Sequence, residues 1–263
     1  MNSQTRPARG SDGTVGKALD VLDQVASFGR PVRFAELLAQ SDHPKATLYR
    51  LLQSLTNQGM LSYDDDRQTY APGLRLVRLA HAAWAQSALA PVARPALDRL
   101  AAEVGETVHL AQLDRGQVLY VDKRNAAQPI EMFSQAGKIG PGYCTGVGKA
   151  MIAFLPLEDR RDAVNRQAFY AHTPATLASA EALEADLHRI REDGVAFDRE
   201  EHEPGIICIA APILTDKGRV LGALSITTST TRESLVTLAR WRGALQATAQ
   251  EIAEAATDWQ FPT

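Results

Sequence analysis

The stretch that decides the fold of the N-terminal part is residues 43–72, HPKATLYRLLQSLTNQGMLSYDDDRQTYAP. Its first half predicts a helix over residues 43–58, because leucines recur there at the three- and four-residue spacing of one buried stripe. Pro44 suits the first turn of a helix, where no backbone N–H is needed, and Gly59 is a typical helix stop. The stripe consists of Leu48, Leu51, Leu52 and Leu55.

A β-hairpin is predicted directly after this helix. Residues 60–63 and 68–71 are short runs of strand type, and the turn between them is the polar cluster Asp64-Asp65-Asp66-Arg67. Upstream, residues 15–28 and 34–39 show the spacing of two further helices. The inward positions predicted in the first of these are Val15, Leu19, Leu22, Val25 and Ala26. Helix, short helix, helix and hairpin predict an N-terminal winged helix-turn-helix with a recognition helix at 43–58.

The side of the recognition helix opposite its leucines is polar and carries two cations and no acid. Such a face suits the major groove of DNA, where Arg50 and Gln53 can read base edges and Ala46 can touch a thymine methyl group. A helix with this face standing alone would be read as an ordinary solvated helix, but the hairpin that follows favours DNA binding. The residues predicted to contact double-stranded DNA, including three phosphate-binding side chains, are Lys45, Ala46, Thr47, Tyr49, Arg50 and Gln53.

Composition sets the outer bounds of the interpretation. The chain has 263 residues, 45% hydrophobic and 22% charged, which is enough for two ordinary domains. No apolar run approaches the ~18 residues needed to cross a bilayer, and residues 1–12 lack the apolar core of a signal peptide. We therefore expect a disordered tail over residues 1–12, a cytoplasmic location and no membrane partner. Cys144 and Cys208 are expected to be free thiols in that reducing compartment.

The charge of the DNA-binding part is close to zero. Residues 1–75 hold nine Lys or Arg against eight Asp or Glu, whereas residues 76–263 hold nineteen against 23. A domain so near neutrality binds the DNA backbone only modestly by itself. Two copies acting on a two-fold site are therefore expected.

Residues 74–90 form a predicted linker helix between residues 13–73, the winged domain, and residues 91–263, the second domain. The linker carries a broad apolar stripe with few charges, which needs a partner. That partner is either the same helix of a second subunit or the second domain of the same chain, and the dimer is favoured. The stripe consists of Leu74, Val77, Ala80, His81, Trp84 and Leu89. The break after the linker is predicted at Ala90-Pro91, followed by a helix that ends at Gly105.

The second domain mixes hairpins and helices, which predicts an α+β fold with an antiparallel sheet covered by helices. Turn residues separate the strands of two hairpins, and helix stops separate the helices. The predicted strands are residues 108–113, 117–122, 130–134, 206–214 and 220–228. The predicted helices are residues 146–155, 158–169, 181–193 and 233–256.

The turn before helix 146–155 is the first of three places with chemical character. It is not a phosphate-binding P-loop, because Tyr143 replaces a required glycine and Ala150 a required Ser or Thr. Thr145 is expected to cap the helix with its side chain. The small residues that follow leave backbone N–H groups open at a helix N-terminus, which suits a carboxylate ligand. A plain capped helix would have the same sequence.

The other two places are an acidic loop and the closing hairpin. Residues 198–205 are rich in acids, which is typical of a solvated loop. In the hairpin, Cys208 shares one strand face with Ala210, and Ser225 shares one with Thr227. If the register brings these faces together, they form a wall of small, weakly polar side chains able to admit a small ligand.

Several segments, in the same order along the chain, resemble IclR-type bacterial transcriptional regulators. They are Gly16-Lys17-Ala18-Leu19-Asp20-Val21-Leu22, Pro44-Lys45-Ala46-Thr47-Leu48-Tyr49-Arg50-Leu51-Leu52, Cys144-Thr145-Gly146-Val147-Gly148-Lys149-Ala150, Arg191-Glu192-Asp193-Gly194 and Gly205-Ile206-Ile207-Cys208-Ile209-Ala210-Ala211-Pro212-Ile213. The resemblance implies a GAF-like effector domain and a homodimer or homotetramer. It also implies that a small organic acid binds at Gly146, Val147, Asp198, Cys208, Ser225 and Thr227.

The resulting hypothesis is a DNA-binding transcriptional regulator whose operator binding is controlled by a small organic acid, such as a sugar acid or hydroxy acid. No catalytic residue, metal or cofactor is expected. A first alternative is a zinc- or redox-sensing regulator that uses Cys144, His202 and Cys208, with Asp198 or Glu201 as a further zinc ligand. A less favoured alternative is a hydrolase with Cys144 as nucleophile and His172 or His202 as base.

Overall fold

The computed structural model describes residues 13–87, 89–128 and 130–256. The chain divides into two compact units, with the boundary between Gln86 and Ser87. This boundary lies inside the predicted linker, whereas the predicted tail, residues 1–12, lies outside the described residues. No helix in the described part of the chain is both long and apolar enough to span a bilayer.

The N-terminal unit is a winged helix-turn-helix, as predicted. Its elements are α1 (Gly13–Ser27), β1 (Val32–Arg33), α2 (Phe34–Ala39), α3 (Lys45–Asn57), β2 (Leu61–Asp64), β3 (Thr69–Pro72) and α4 (Leu74–Ser87). The three strands form an antiparallel sheet in the order β1-β3-β2. The second and third helices lie where the sequence predicts them, and both wing strands begin one residue later than predicted.

The leucine stripe of α3 forms the centre of the N-terminal core. Leu48 and Leu52 are completely buried, and they pack in one cluster with α1 and the wing. The inward positions predicted for α1 are partly wrong, because Val15 is 73% exposed, Leu19 is 48% exposed and Ala26 is exposed. The buried residues of α1 are Val21, Leu22 and Val25, and the three exposed residues lie at or beyond the edge of that buried arc.

Helix α4 presents apolar side chains to its surroundings. Leu74 is 85% exposed and Val77 65% exposed. The side chain of Trp84, part of the predicted stripe, lies outside the described residues. The next helix begins at Ala90, so the predicted break at Ala90-Pro91 is placed slightly too late. Pro91 fits inside the first turn of that next helix, because the N–H that proline lacks has no intrahelical partner there.

The C-terminal unit is an α+β domain, as predicted. Its strands are β4 (Thr107–Asp114), β5 (Gln117–Arg124), β6 (Ile139–Pro141), β7 (Ala196–Arg199), β8 (Ile206–Leu214) and β9 (Val220–Ser229). Its helices are α5 (Ala90–Val104), α6 (Gly146–Ala153), α7 (Leu157–Asn165), α8 (Ala180–Asp193), α9 (Leu235–Leu238) and α10 (Arg242–Ala255). The strands pair antiparallel throughout, in the order β6-β5-β4-β9-β8-β7.

Helices cover this sheet as expected. Helix α10 packs on β8 and on α5, while α6 packs on β8 and β9 and against α8. The first turn of α6 lies on the sheet face that carries Cys208 and Ala210. Strands β7 and β8 therefore both reach the N-terminus of α6, which positions the site described below.

Two predicted elements of the C-terminal unit are wrong. Residues 130–134 form no strand where they are described, and the sheet edge is instead β6. The alternation that predicted a strand reflects a loop in which Met132 and Ser134 are buried. The predicted helix 233–256 is divided by a tight 3₁₀ turn at Ala239–Trp241, so its first part, α9, is only a short helix capped by Ser234.

A fully buried lysine links three parts of the C-terminal unit. The Nζ of Lys149 on α6 lies 2.9 Å from Asp186 Oδ2 on α8 and 2.5 Å from Glu201 Oε1 in the loop after β7. Arg189 and Arg199 add partly exposed cations at 2.9 and 3.6 Å from Asp186 Oδ1. Both carboxylates are almost completely buried, so they depend on this lysine for their charge balance.

We expect Lys149→Met to lower the free energy of unfolding of the C-terminal unit by about 3–5 kcal/mol, because it leaves two buried carboxylates without their buried partner. Urea unfolding of the full chain measures this loss. The matched control is Arg161→Met, which breaks an exposed pair with Glu158 and should cost less than about 1 kcal/mol. Equal unfolding midpoints for the two variants would contradict the structural role of Lys149.

Candidate functional site

The polar face of α3 is accessible, as the recognition-helix prediction requires. Lys45, Ala46, Arg50 and Gln53 are exposed, and Tyr49 is 48% exposed. Thr47 is the exception among the six predicted DNA contacts, since it is half-buried. The structure thus places these six residues on or at the edge of one free surface of the N-terminal unit.

Contacts between side chains order part of this surface. Gln53 Nε2 donates a hydrogen bond to the Tyr49 hydroxyl at 3.1 Å, and the Tyr49 ring packs edge-on against Phe34. A shallow hollow beside α3 is lined by Phe34, Lys45, Ala46, Tyr49, Tyr63 and Tyr70. Tyr63 was given no role from the sequence, although its place opposite Tyr70 in the wing was a signal that an aromatic surface adjoins the recognition helix.

The C-terminal unit contains a small polar cavity. All six residues that the family resemblance implied as effector contacts line it, namely Gly146, Val147, Asp198, Cys208, Ser225 and Thr227. The empty space between the lining residues is about 380 Å³, including the part open to solvent. Seven lining residues were not among those six: His109, Tyr120, Ser134, Thr145, His202, Glu203 and Ile206.

The strand register places the residues of the cavity wall opposite one another on neighbouring strands. Cys208 lies opposite Thr227 in the β8–β9 pair and opposite Asp198 in the β7–β8 pair. Ala210 lies opposite Ser225. The small, weakly polar faces of the closing hairpin therefore adjoin each other, which confirms the register on which that prediction depended.

The N-terminus of α6 closes one side of the cavity at very short range. A side chain at Gly146 would place its Cβ 2.4 Å from Cys208 Sγ, so only glycine permits this approach. Thr145 occupies the N-cap position, but the predicted side-chain cap is wrong, because its hydroxyl donates to the Pro141 carbonyl at 2.7 Å. The Gly146 N–H, predicted to be open, is directed at the Cys208 sulfur.

His109 is the main site residue that sequence reasoning missed. Its Nδ1 lies 3.2 Å from the Thr227 hydroxyl and 3.3 Å from that of Ser225, and its Nε2 lies 2.8 Å from Ser134 Oγ. Complete burial, with a contribution from Lys123, lowers the pKa of His109 to about 3, so the ring is neutral. The sequence feature that could have indicated this role is the position of a histidine among the apolar residues of β4.

Asp198 is the buried acid of the cavity. It is 7% exposed, and its Oδ1 accepts the Glu201 backbone N–H at 2.8 Å. Burial and the nearby Glu201 carboxylate raise the pKa of Asp198 to about 7, although the Glu201 N–H, Lys149 and His202 partly offset the rise. The carboxyl group is therefore close to half protonated near neutral pH.

The two alternatives from the sequence find no support in this geometry. Among the described residues, no three His, Cys, Asp or Glu side chains lie close enough together to hold a metal ion. Both cysteines are free and buried, and burial raises the pKa of Cys144 and of Cys208 above the ordinary thiol range. Such thiols remain protonated at neutral pH, which suits neither a nucleophile nor a reactive redox sensor.

A winged helix with an open polar recognition face, followed by a second domain with a small polar cavity, defines a DNA-binding regulator with a ligand-binding domain. Comparison with known families agrees. Residues 14–65 match the family model described as "IclR helix-turn-helix domain". Residues 81–254 match the family model described as "Bacterial transcriptional regulator IclR C-terminal". The chain belongs to the IclR family of DNA-binding transcriptional regulators.

Individual relatives support the same assignment. The HTH-type transcriptional regulator XynR of Escherichia coli (strain K12) is 31% identical over 233 residues, covering 89% of this chain and 92% of XynR. The crystal structure of the Thermotoga maritima IclR has 26% identity and a TM-score of 0.72, covering 92% of this chain and 97% of that one. XynR is named as a transcriptional regulator, as is the matched C-terminal family, and the chain is a transcriptional regulator rather than an enzyme.

A further solved structure shares the fold. It is an IclR homolog from Microbacterium hydrocarbonoxydans complexed with 4-hydroxybenzoate, with 21% identity and a TM-score of 0.78, covering 92% of this chain and 98% of that one. At this identity the likeness concerns the fold alone.

The raised pKa of Asp198 makes stability depend on pH in a defined direction. The folded chain holds a proton on this carboxyl between about pH 4 and pH 7, whereas the unfolded chain does not, so the free energy of unfolding falls as pH rises through this window. Asp198→Asn is neutral at every pH and removes this contribution. We expect the variant to gain stability relative to the wild type from pH 4 to pH 7, by at most about 1.4 kcal/mol per pH unit.

Chemical denaturation of both proteins at several pH values measures this difference. Asp122→Asn, at a position outside the cavity, serves as the control. A constant difference in unfolding free energy between Asp198→Asn and the wild type across the window would contradict the assignment of a raised pKa to Asp198.

Proposed function

We propose that a small organic acid, bound in the cavity of the C-terminal unit, controls binding of this regulator to its DNA operator. The observation that supports the proposal is the convergence of Gly146, Val147, Asp198, Cys208, Ser225 and Thr227 on one cavity. These residues come from a helix N-terminus and three neighbouring strands, so the polar groups face a common space.

The chemistry of the wall favours a small acid that also carries a hydroxyl group. The N-terminus of α6 offers positive potential to a carboxylate. Ser225 and Thr227 supply hydroxyl groups, and His202 and Glu203 supply further polar groups for a hydroxyl on the ligand. A sugar acid or a hydroxy acid therefore suits this cavity.

The operator would be read by α3. We assign base contacts to Arg50 and Gln53, a thymine-methyl contact to Ala46, and phosphate contacts to Lys45, Thr47 and Tyr49. With Gln53 Nε2 donating one proton to Tyr49, its second N–H and its carbonyl oxygen remain for a base edge. An adenine, which presents one acceptor and one donor in the major groove, matches this pair.

The functional unit is proposed to be a homodimer or homotetramer. Leu74 and Val77 leave an apolar surface on α4, and helix-on-helix packing with a second copy would remove it from water. Two recognition helices would then act on one two-fold operator. The effector changes operator affinity only by the difference between its affinities for two arrangements of the assembly, typically about 1–3 kcal/mol.

Arg50→Ala should weaken operator binding by about fivefold to 150-fold, because a lost base contact of this type costs about 1–3 kcal/mol. Fluorescence anisotropy at fixed salt, with a duplex from the region upstream of the chain's own gene, measures the change. Arg99→Ala is the charge-matched control, since Arg99 pairs with Glu251 in the C-terminal unit. If the two variants bind the duplex equally well, α3 does not read DNA through Arg50.

Direct calorimetry tests the effector. Glycolate, D-gluconate and 4-hydroxybenzoate represent a hydroxy acid, a sugar acid and an aromatic acid, and we expect at least one of them to bind and to change operator affinity. Ser225→Ala should weaken that binding about tenfold through loss of a buried hydrogen bond. Ser229→Ala, at the end of the same strand and outside the cavity, should leave it unchanged. Absence of binding by all three acids would count against an organic-acid effector.

A further inference from the structure

The cavity has an electrostatic imbalance for an acid ligand. Its described lining residues include two carboxyl groups, Asp198 and Glu203, and no Lys or Arg. Although burial opposes ionisation of Glu203, the nearby His202 ring and the Phe133 N–H, which donates to the carboxylate at 3.0 Å, hold its pKa below its ordinary value. A ligand carboxylate would therefore enter a space that already holds one fixed negative charge.

The nearest buried cation is not free to correct this imbalance. Lys149 is shared between Asp186 and Glu201, at 2.9 and 2.5 Å. Glu201 Oε2 is itself buried without a hydrogen-bond partner. Lys149 is thus engaged by two carboxylates, which Arg189 and Arg199 also approach, and among the described residues it makes no ion pair with Asp198.

The second oxygen of the Asp198 carboxyl group, Oδ2, can carry a proton. Oδ1 accepts the Glu201 backbone N–H, whereas Oδ2 has no donor among the residues that the structure describes. Side chains with titratable groups approach Asp198 from each element packed on β7; they are Tyr120, Cys144, Lys149, Glu201, His202 and Cys208. Tyr120 and the two thiols are neutral at neutral pH, because burial raises their pKa values.

Besides the two carboxyl groups, the lining side chains that could balance a ligand charge by protonation are His109 and His202. Burial opposes protonation of His109, which leaves His202. Its Nδ1 lies 3.7 Å from Glu203 Oε1, so a protonated His202 would be matched by Glu203 rather than by a ligand. Asp198 has no such counter-charge on the cavity side. The buried acid and the incoming anion are therefore the two groups that must share a proton.

We propose that the effector binds together with one proton, so that protonated Asp198 donates a hydrogen bond from Oδ2 to the carboxylate of the bound acid. This inference rests on the organic-acid function proposed above. The only bond formed is the O–H bond of the Asp198 carboxyl group: the ligand arrives as the anion, the proton comes from solvent, and the complex holds both. Effector sensing is thereby coupled to proton uptake.

The consequence is a pH-dependent affinity with a known sign. The unliganded carboxyl loses its proton as pH rises through about 7, and above that point each binding event must first restore it. The affinity for the acid should therefore fall about tenfold between pH 6 and pH 8. Glycolate, D-gluconate and 4-hydroxybenzoate keep an ionised carboxylate over this range, so the change comes from the protein.

Calorimetry with full-length protein tests the proposal. Each of the three acids is titrated at pH 6 and pH 8 in buffers of different ionisation enthalpy, which gives the number of protons taken up per ligand. Wild-type protein should take up close to one proton at pH 8 and far less at pH 6. Asp198→Asn keeps a neutral donor, so it should take up none and bind with the same affinity at both pH values. His202→Gln should retain the wild-type proton uptake.

The outcomes separate this proposal from the proposed function. If an acid binds the wild type without proton uptake at pH 8, proton coupling is wrong while the organic-acid function stands. The same holds if His202→Gln abolishes the uptake and Asp198→Asn keeps it. If none of the three acids binds at either pH, both proposals are overturned. If Asp198→Asn fails to fold, the wild-type proton count still tests proton coupling, and proton uptake by His202→Gln still tests whether His202 takes up the proton.

Discussion

The close approach of the α6 N-terminus to strand β8 is the constraint on which the C-terminal unit depends. Glycine at position 146 brings the helix backbone against Cys208, since a Cβ there would lie 2.4 Å from the sulfur. One turn further along, Lys149 is buried between Asp186 and Glu201. A single short helix thus closes the cavity with its end and holds the loop after β7 with its side. Any change in how α6 sits against the sheet would alter both features together.

Burial, more than pairing, sets the charge states in the cavity. His109 is neutral and Asp198 is partly protonated, because removal from water disfavours the charged form of each. Glu203 remains ionised because hydrogen bonds to its carboxylate outweigh that effect. The wall is therefore made mainly of neutral donors and acceptors, with one fixed negative charge. Such a wall selects ligands by hydrogen-bond geometry and by proton content rather than by a salt bridge.

In the N-terminal unit, burial positions a helix for DNA binding instead of setting charge states. Its leucine stripe is buried to fix α3, and this leaves the opposite face of the helix free for polar side chains. The charges of residues 1–75 nearly cancel, so affinity for DNA must come from placement and from the use of more than one copy. Exposed Leu74 and Val77 on α4 provide an apolar surface suited to pairing. Recognition and assembly are thus carried by adjacent segments of this unit.

The sequence by itself determined the winged helix, the two central hairpins and the α+β class, because these follow from residue spacing and turn chemistry within short segments. Two predicted elements were wrong. The alternating burial of a loop resembled that of a strand at 130–134, and a tight 3₁₀ turn interrupts the helix predicted at 233–256. The six residues at the cavity could be named from family resemblance, but His109 could not. Only the tertiary structure decided that they share one space, that Thr145 bonds Pro141 instead of capping α6, and that Asp198 is partly protonated near neutral pH. Strand register and desolvation depend on residues far apart in the chain, and no local pattern carries that information.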